Sequence, residues 1–275
     1  MKYLWPLAVL FLSNFLTAQE SENPLFSSFE EYKKAKENTP FQVKWISAGP
    51  VTNSARVEAL QGDPNQPGTM YVAFGSGNLW KTTNNGLDWK PIFENQPTLG
   101  IGDIAIAPSN SEILYLGTGE SLRKNRNFTM PGTGVYRSDD GGETWAHLGL
   151  EDTWHIGEIA VHPLNPDIVF VAAMGKFWSE SASKGIYRTT NGGKDWERVL
   201  YVNDDTRAND IVIAHSNPKM IYASMWENND NTNIAESVYG SNSGIYYSSD
   251  GGSSWKRSKN GLPDKPKIGR IGLAV

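Results

Sequence analysis

Val135-Tyr136-Arg137-Ser138-Asp139-Asp140-Gly141-Gly142-Glu143-Thr144-Trp145 decides how the rest of the chain reads. Three further segments follow the same pattern: Leu79 to Trp89 (LWKTTNNGLDW), Ile186 to Trp196 (IYRTTNGGKDW) and Ile245 to Trp255 (IYYSSDGGSSW). Their terminal tryptophans fall 56, 51 and 59 positions apart. A period near fifty means one supersecondary unit used repeatedly. Within each copy, an alternating apolar-polar run predicts a strand and an Asp/Asn-Gly run predicts a tight turn. The Trp then opens another strand. Asp140 and Asp250 can fold a carboxylate back onto turn amides, and Asn84 and Asn191 can do so with an amide oxygen. Gly86, Gly142, Gly193 and Gly252 take positive φ cheaply. Trp89, Trp145, Trp196 and Trp255 are expected to fill the wedges between neighbouring units.

Upstream of each turn lies a second repeated phrase: Ile104 to Asn110 (IAIAPSN), Ile159 to Pro166 (IAVHPLNP) and Ile211 to Pro218 (IVIAHSNP). A strand ends there in a Pro/Asn turn, and another strand follows, as in Ile113 to Leu116. Each unit therefore reads strand, turn, strand, variable loop, strand, Asp-rich turn, strand. Four antiparallel strands in such a repeat make a β-propeller blade. The fold class expected is all-β, an incomplete propeller of four blades over 41–275. It carries an orphan outer strand at Lys44 to Gly49 and an orphan inner strand at Ile268 to Val275.

The turns match the Asp-box, or BNR repeat, Ser/Thr-x-Asp-x-Gly-x-Thr-Trp. The second copy fits in full. The fourth has Ser254 for Thr; the first and third have Asn for Asp and Asp for Thr. The phrases WKTTNNG, IGDIAIAP, GTGE, HIGEIAVHP and IGRIGLAV resemble the sortilin-type propeller proteins of bacteria, often labelled glycosyl hydrolases. The resemblance implies a longer ring of six to eight blades, with the C-terminal remainder of the propeller as this chain's partner.

The chain has 275 residues, 25 Lys+Arg against 30 Asp+Glu, a net charge of −5 and no Cys. Mild acidity argues against a nucleic-acid partner, which needs a basic face. A mean hydropathy of −0.46 excludes a polytopic membrane protein. Without Cys there is no disulfide framework, thiolate metal site or Cys nucleophile. Residues 1–18 read as a signal peptide: Lys2, an apolar run from Leu7 to Leu12, and Thr17-Ala18 before the cleavage point. The protein is then exported, to the periplasm, cell surface or medium, with no transmembrane segment after cleavage. Residues 19–40 form an N-terminal segment. Ser28 and Glu31 there form a capping-box pattern that predicts a short helix over 27–38.

Blade topology puts the Asp-boxes and Pro/Asn turns at one end of the ring. The variable loops and blade crossovers lie at the other, where function is expected. That end holds Arg123, Trp154, His155, Trp178 and Trp226 as candidate ligand contacts. Aromatic faces among charged groups suit a glycan or a protein ligand. Glu120, Glu180 and Glu227 follow second strands at matching positions, and are the candidate catalytic carboxyls for glycoside hydrolysis. The first reading is a binding or interaction module; the alternative is a glycoside hydrolase, sialidase-like or otherwise. Sialidases resemble the fold, but their Phe/Tyr-Arg-Ile-Pro motif is absent, so Arg56 inherits no role. Two-propeller xyloglucan-cleaving enzymes also share Asp-boxes, but their catalytic acids sit on separate propellers. Only His147, His155, His162 and His215 are available as imidazoles, and none has metal-ligand spacing. Neither a metal nor a cofactor is expected.

Overall fold

A computed structural model describes residues 23–39, 56–121, 129–177, 181–227, 239–259, 261 and 268–275. The expected signal peptide and the edge strand at 44–49 lie outside them. Four four-stranded antiparallel sheets succeed one another along the chain. The first holds β1 (Val57–Gly62), β2 (Met70–Phe74), β3 (Leu79–Thr82) and β4 (Lys90–Pro91). The second holds β5 (Ile101–Ile106), β6 (Leu114–Thr118), β7 (Val135–Ser138) and β8 (Ala146–His147). The third holds β9 (Ile156–Val161), β10 (Val169–Ala173), β11 (Gly185–Thr189) and β12 (Glu197–Leu200). The fourth holds β13 (Thr206–Ile213), β14 (Ile221–Glu227), β15 (Gly244–Ser248) and β16 (Lys256–Arg257). Each sheet pairs in chain order, so the molecule is a partial β-propeller of four blades.

The cores lie between the blades. Leu79 and Phe93 pack with Ile104, Leu116 and Tyr136 between the first and second. Val135 and Tyr115 pack with Ile156, Ile159 and Val171 between the second and third, and Phe170 and Ile186 with Ile211 and Ala223 between the third and fourth. Trp145, Trp196 and Trp255 each border one of these clusters. The Nε1–H of Trp145 donates to Ile92 O at 2.9 Å and that of Trp196 to Leu148 O at 2.8 Å, both on the preceding blade. Trp255 instead donates to Gly252 O of its own turn at 3.2 Å.

The Asp-box turns close as their chemistry dictates. Ser138 Oγ accepts from Gly142 N at 2.7 Å, and Asp140 accepts from Thr144 N at 2.9 Å and Thr144 Oγ1 at 2.6 Å. Burial pushes the Asp140 carboxyl up, and these bonds together outweigh it and hold the carboxyl down at about 2. The divergent turns are complementary swaps: Asn84 Nδ2 donates to Asp88 at 3.0 Å and Asn191 Nδ2 to Asp195 at 2.9 Å.

One α-helix is present among the described residues, α1 (Pro24–Glu37). It starts earlier than the Ser28 pattern predicts. Asn23 is the N-cap, accepting from Leu25 N, and Pro24 takes the first turn, where its missing N–H costs nothing. Asn23 also donates to Gly132 O at 3.2 Å, and Phe26 meets the His147 ring edge-on at 5.1 Å, which pins the helix to the second blade. No helix among the described residues is long and apolar enough to cross a membrane.

Residues 268–275 do not form the regular inner strand that their sequence predicts. Apart from a bridge between Ile268 and Gly240, their backbone bonds to side chains of the fourth blade. Ile271 O accepts from Asn209 Nδ2 at 3.0 Å and Ser224 Oγ at 2.8 Å, and Leu273 N donates to Asp210 at 2.8 Å.

Candidate functional site

Every innermost strand carries a bulge at the same place. Glu58, Gly102, Gly157 and Asn209 are skipped in the pairing with β2, β6, β10 and β14. Each bulge sits near the start of its strand, at the loop end of the blade. Bulges re-aim the side chains that follow them. Here those are Asp103, Glu158 and Asp210. Asp103 Oδ2 accepts from Ile159 N of the next blade at 2.7 Å, and Asp210 Oδ2 accepts from Leu273 N. The same repeat position in the terminal segment is Arg270, whose Nη1 donates to Ser121 O of the second blade at 3.1 Å.

Burial raises the Glu158 carboxyl well above the usual range; Asp103 and Asp210 add to the rise and Arg270 opposes it. Asp103 and Asp210 are raised too, mainly by burial, against the amides that they accept from. Three carboxyls that resist ionisation thus sit together beside one guanidinium. The phrases IGDIAI, IGEIAV and ANDIVI carry an acid at one repeated position. That was the available signal, and sequence reasoning passed over it because it sought chemistry in the variable loops.

The loop candidates are placed as follows. Glu120 is fully buried, ion-paired with Arg56 of the first blade, and its Oε2 accepts from Thr129 Oγ1 at 3.1 Å. Arg56 also lies 3.7 Å from Glu58, whose Oε2 accepts from Ser121 Oγ at 2.7 Å. His155 is buried with Nδ1 3.0 Å from Glu120 O and its ring 4.3 Å from Phe177. Burial, with the nearby Arg207 charge, pulls the His155 pKa down to about 3, so the imidazole stays neutral. Arg207 stacks on Phe177 at 4.6 Å and donates to Lys176 O at 3.1 Å. Arg56, Glu120, His155, Phe177 and Arg207 therefore string all four blades together.

Glu227 is tied to its own loop, accepting from Asn242 N at 2.7 Å and Asn242 Nδ2 at 3.0 Å. Trp226 is buried with Met174 and Phe177. Trp154 is half-buried, has φ 56°, and carries Lys176 Nζ 5.0 Å above its ring. Arg123, Trp178 and Glu180 lie outside the described residues. The expected equivalence of the three glutamates needs one correction. The turns closed by Ala107 N to Ile113 O, His162 N to Ile168 O and Ala214 N to Met220 O set a common count. On that count Glu120 and Glu227 match, but the third blade has Gly175 at their position, not Glu180. Among the described residues no group of three or more His, Asp or Glu is arranged to hold a metal ion.

Residues 133–263 match the Sortilin-Vps10 family model, described as sortilin, neurotensin receptor 3. Xyloglucanase Xgh74A of Acetivibrio thermocellus is 28% identical over 178 residues, 52% of this chain and 20% of the relative. A Paenibacillus sp. xyloglucanase is 25% identical over 222 residues, 66% of this chain and 20% of that protein. The crystal structure of an ancestral GH74 enzyme superposes with a TM-score of 0.57 at 24% identity, covering 78% of this chain and 25% of the other. That of Niastella koreensis GH74 gives 0.53 at 21% identity, covering 72% and 28%. The two structures share the propeller fold. This chain spans about a fifth to a quarter of the length of these relatives.

Proposed function

We propose that this chain is part of a glycoside hydrolase acting on a xyloglucan-type polysaccharide, rather than a binding module alone. Two xyloglucanases that align over half or more of the chain carry this reading. The chemistry of the innermost strands supports it. Glycoside hydrolysis needs one carboxyl that stays protonated to release the leaving group and one that stays ionised. Glu158 suits the acid, because its surroundings hold its proton. Glu120 does not suit it, being fully buried in an ion pair with Arg56, and neither does Glu227, whose two oxygens both accept from Asn242 of its own loop.

The test is reducing-end release from tamarind xyloglucan with Glu158→Gln. The variant is expected to lower kcat by about 100-fold or more while leaving the fold intact. Unchanged turnover would remove this role. Xyloglucan bound but not cleaved by the wild type would return the chain to a binding role.

A further inference from the structure

A cleft lies on the loop end of the molecule, away from the innermost strands. Its volume is about 580 Å³, within the range of small-ligand sites. One wall is the 3₁₀ turn Glu151–Thr153 in the crossover between the second and third blades; the other is the segment 181–183 leading into β11. Tyr187 and Arg198, on the two outer strands of the third blade, form the floor. We infer that this cleft binds one or two neutral sugar units of a polysaccharide chain, apart from any site of bond cleavage. The inference deepens the proposed function and rests on it only for the choice of polysaccharide.

Three observations carry it. The first is charge. Glu151 and Asp152 face Lys176 and Arg198, so the lining balances, and a strongly charged ligand gains nothing by entering. A polyol, which donates and accepts at every hydroxyl, uses both signs. The second is rigidity. Ser183 Oγ donates to Asp152 O at 2.5 Å and meets Ser181 Oγ at 2.8 Å, so the two walls are bonded to each other. Tyr187 OH donates to Ser183 O at 3.2 Å, and Arg198 donates to Ala182 O. A preformed cleft loses little ordering entropy on binding. The third is backbone strain. Leu150 at φ 60° and Trp154 at φ 56° bracket the 3₁₀ turn, and they are two of the four non-glycine residues at positive φ among those described. Such strain concentrates at ligand clamps. It also turns the Trp154 ring under Lys176, which lines the cleft.

Isothermal titration of the full chain with xyloglucan heptasaccharide, cellohexaose and oligogalacturonate tests this. Both neutral oligosaccharides are expected to bind. Lys176→Ala and Glu151→Gln should each weaken them about tenfold, the worth of one charge-assisted hydrogen bond. Both side chains reach solvent, so the melting temperature should stay within a degree or two of wild type and mark any variant that misfolds. Unchanged affinity in both variants, no binding of either neutral probe, or tighter binding of oligogalacturonate would each overturn the cleft's role. The hydrolase reading is scored separately. Glu158→Gln should lower xyloglucan turnover by about 100-fold or more and leave binding at this cleft unaltered. Absent turnover with tenfold losses at Lys176 and Glu151 would sink the hydrolase and keep the cleft.

Discussion

Asn191 and Asp195 do together what Asp140 and Thr144 do in the second turn, with donor and acceptor exchanged. In both, one oxygen accepts the backbone N–H four residues on, and a side-chain bond closes the ring. The divergence from the consensus is therefore paired. Asn191→Asp alone sets two carboxylates face to face and should lower stability by about 1–2 kcal/mol. Adding Asp195→Thr rebuilds the second turn's chemistry and should recover most of that loss, read by urea denaturation. A double variant no better than the single one would show that the pairing is not what holds the turn. The turn acids also set the acid limit. Asp140 and Asp250 are held below the usual carboxylate range by their turn partners, so their contribution is present above the ordinary Asp pKa and is lost as pH falls through the depressed one.

At the scale of elements, glycine decides how closely blade and crossover approach. A Cβ on Gly119 would fall 1.9 Å from Trp154 O, and the φ of +87° is itself unfavourable to any other residue. Gly119→Ala should destabilise by at least about 3 kcal/mol, the joint cost of backbone displacement and positive φ. It should also move Trp154, visible as a shifted tryptophan emission. The latches between blades repeat as well: Lys81 Nζ donates to Gly141 O at 2.9 Å and Arg188 Nη1 to Gly251 O at 3.0 Å, each reaching the next blade's Asp-box. Arg137 at the same position reaches Asp167 at 2.7 Å. Arg188→Met keeps the stem and removes the donor, and should cost about 1 kcal/mol in urea denaturation.

For the whole molecule, the central carboxyls set the pH response. Asp103, Glu158 and Asp210 are raised in the folded state, so folding takes up protons once the pH exceeds the ordinary carboxyl range. Stability then falls as pH rises from about 5 towards the raised values. His155, depressed to about 3, works the other way below its ordinary pKa of 6.5, with one proton against up to three. The net expectation is a melting temperature higher near pH 5 than near pH 8. Glu158→Gln, which never ionises, should flatten that slope and raise the melting temperature at pH 8. An unaltered slope would place Glu158 in freer solvent than its neighbours indicate.

The sequence alone determined what is periodic. Turn chemistry and strand alternation recur locally, so Ser138, Asp140, Gly142 and Trp145 announce the blade, and four copies announce the partial ring. A local signal is also why the helix start was misjudged. Ser28 and Glu31 satisfy a capping pattern, but Asn23 caps the helix and is held from outside by Gly132, more than a hundred positions away. What only the tertiary structure decided is which charges meet. Glu120 looks like a free loop acid until Arg56 of another blade is beside it. Asp103, Glu158 and Asp210 look like ordinary strand residues until the fold buries them within reach of one another's charge. Burial and the Coulomb energy of neighbours act through space, and spacing along the chain carries no record of them.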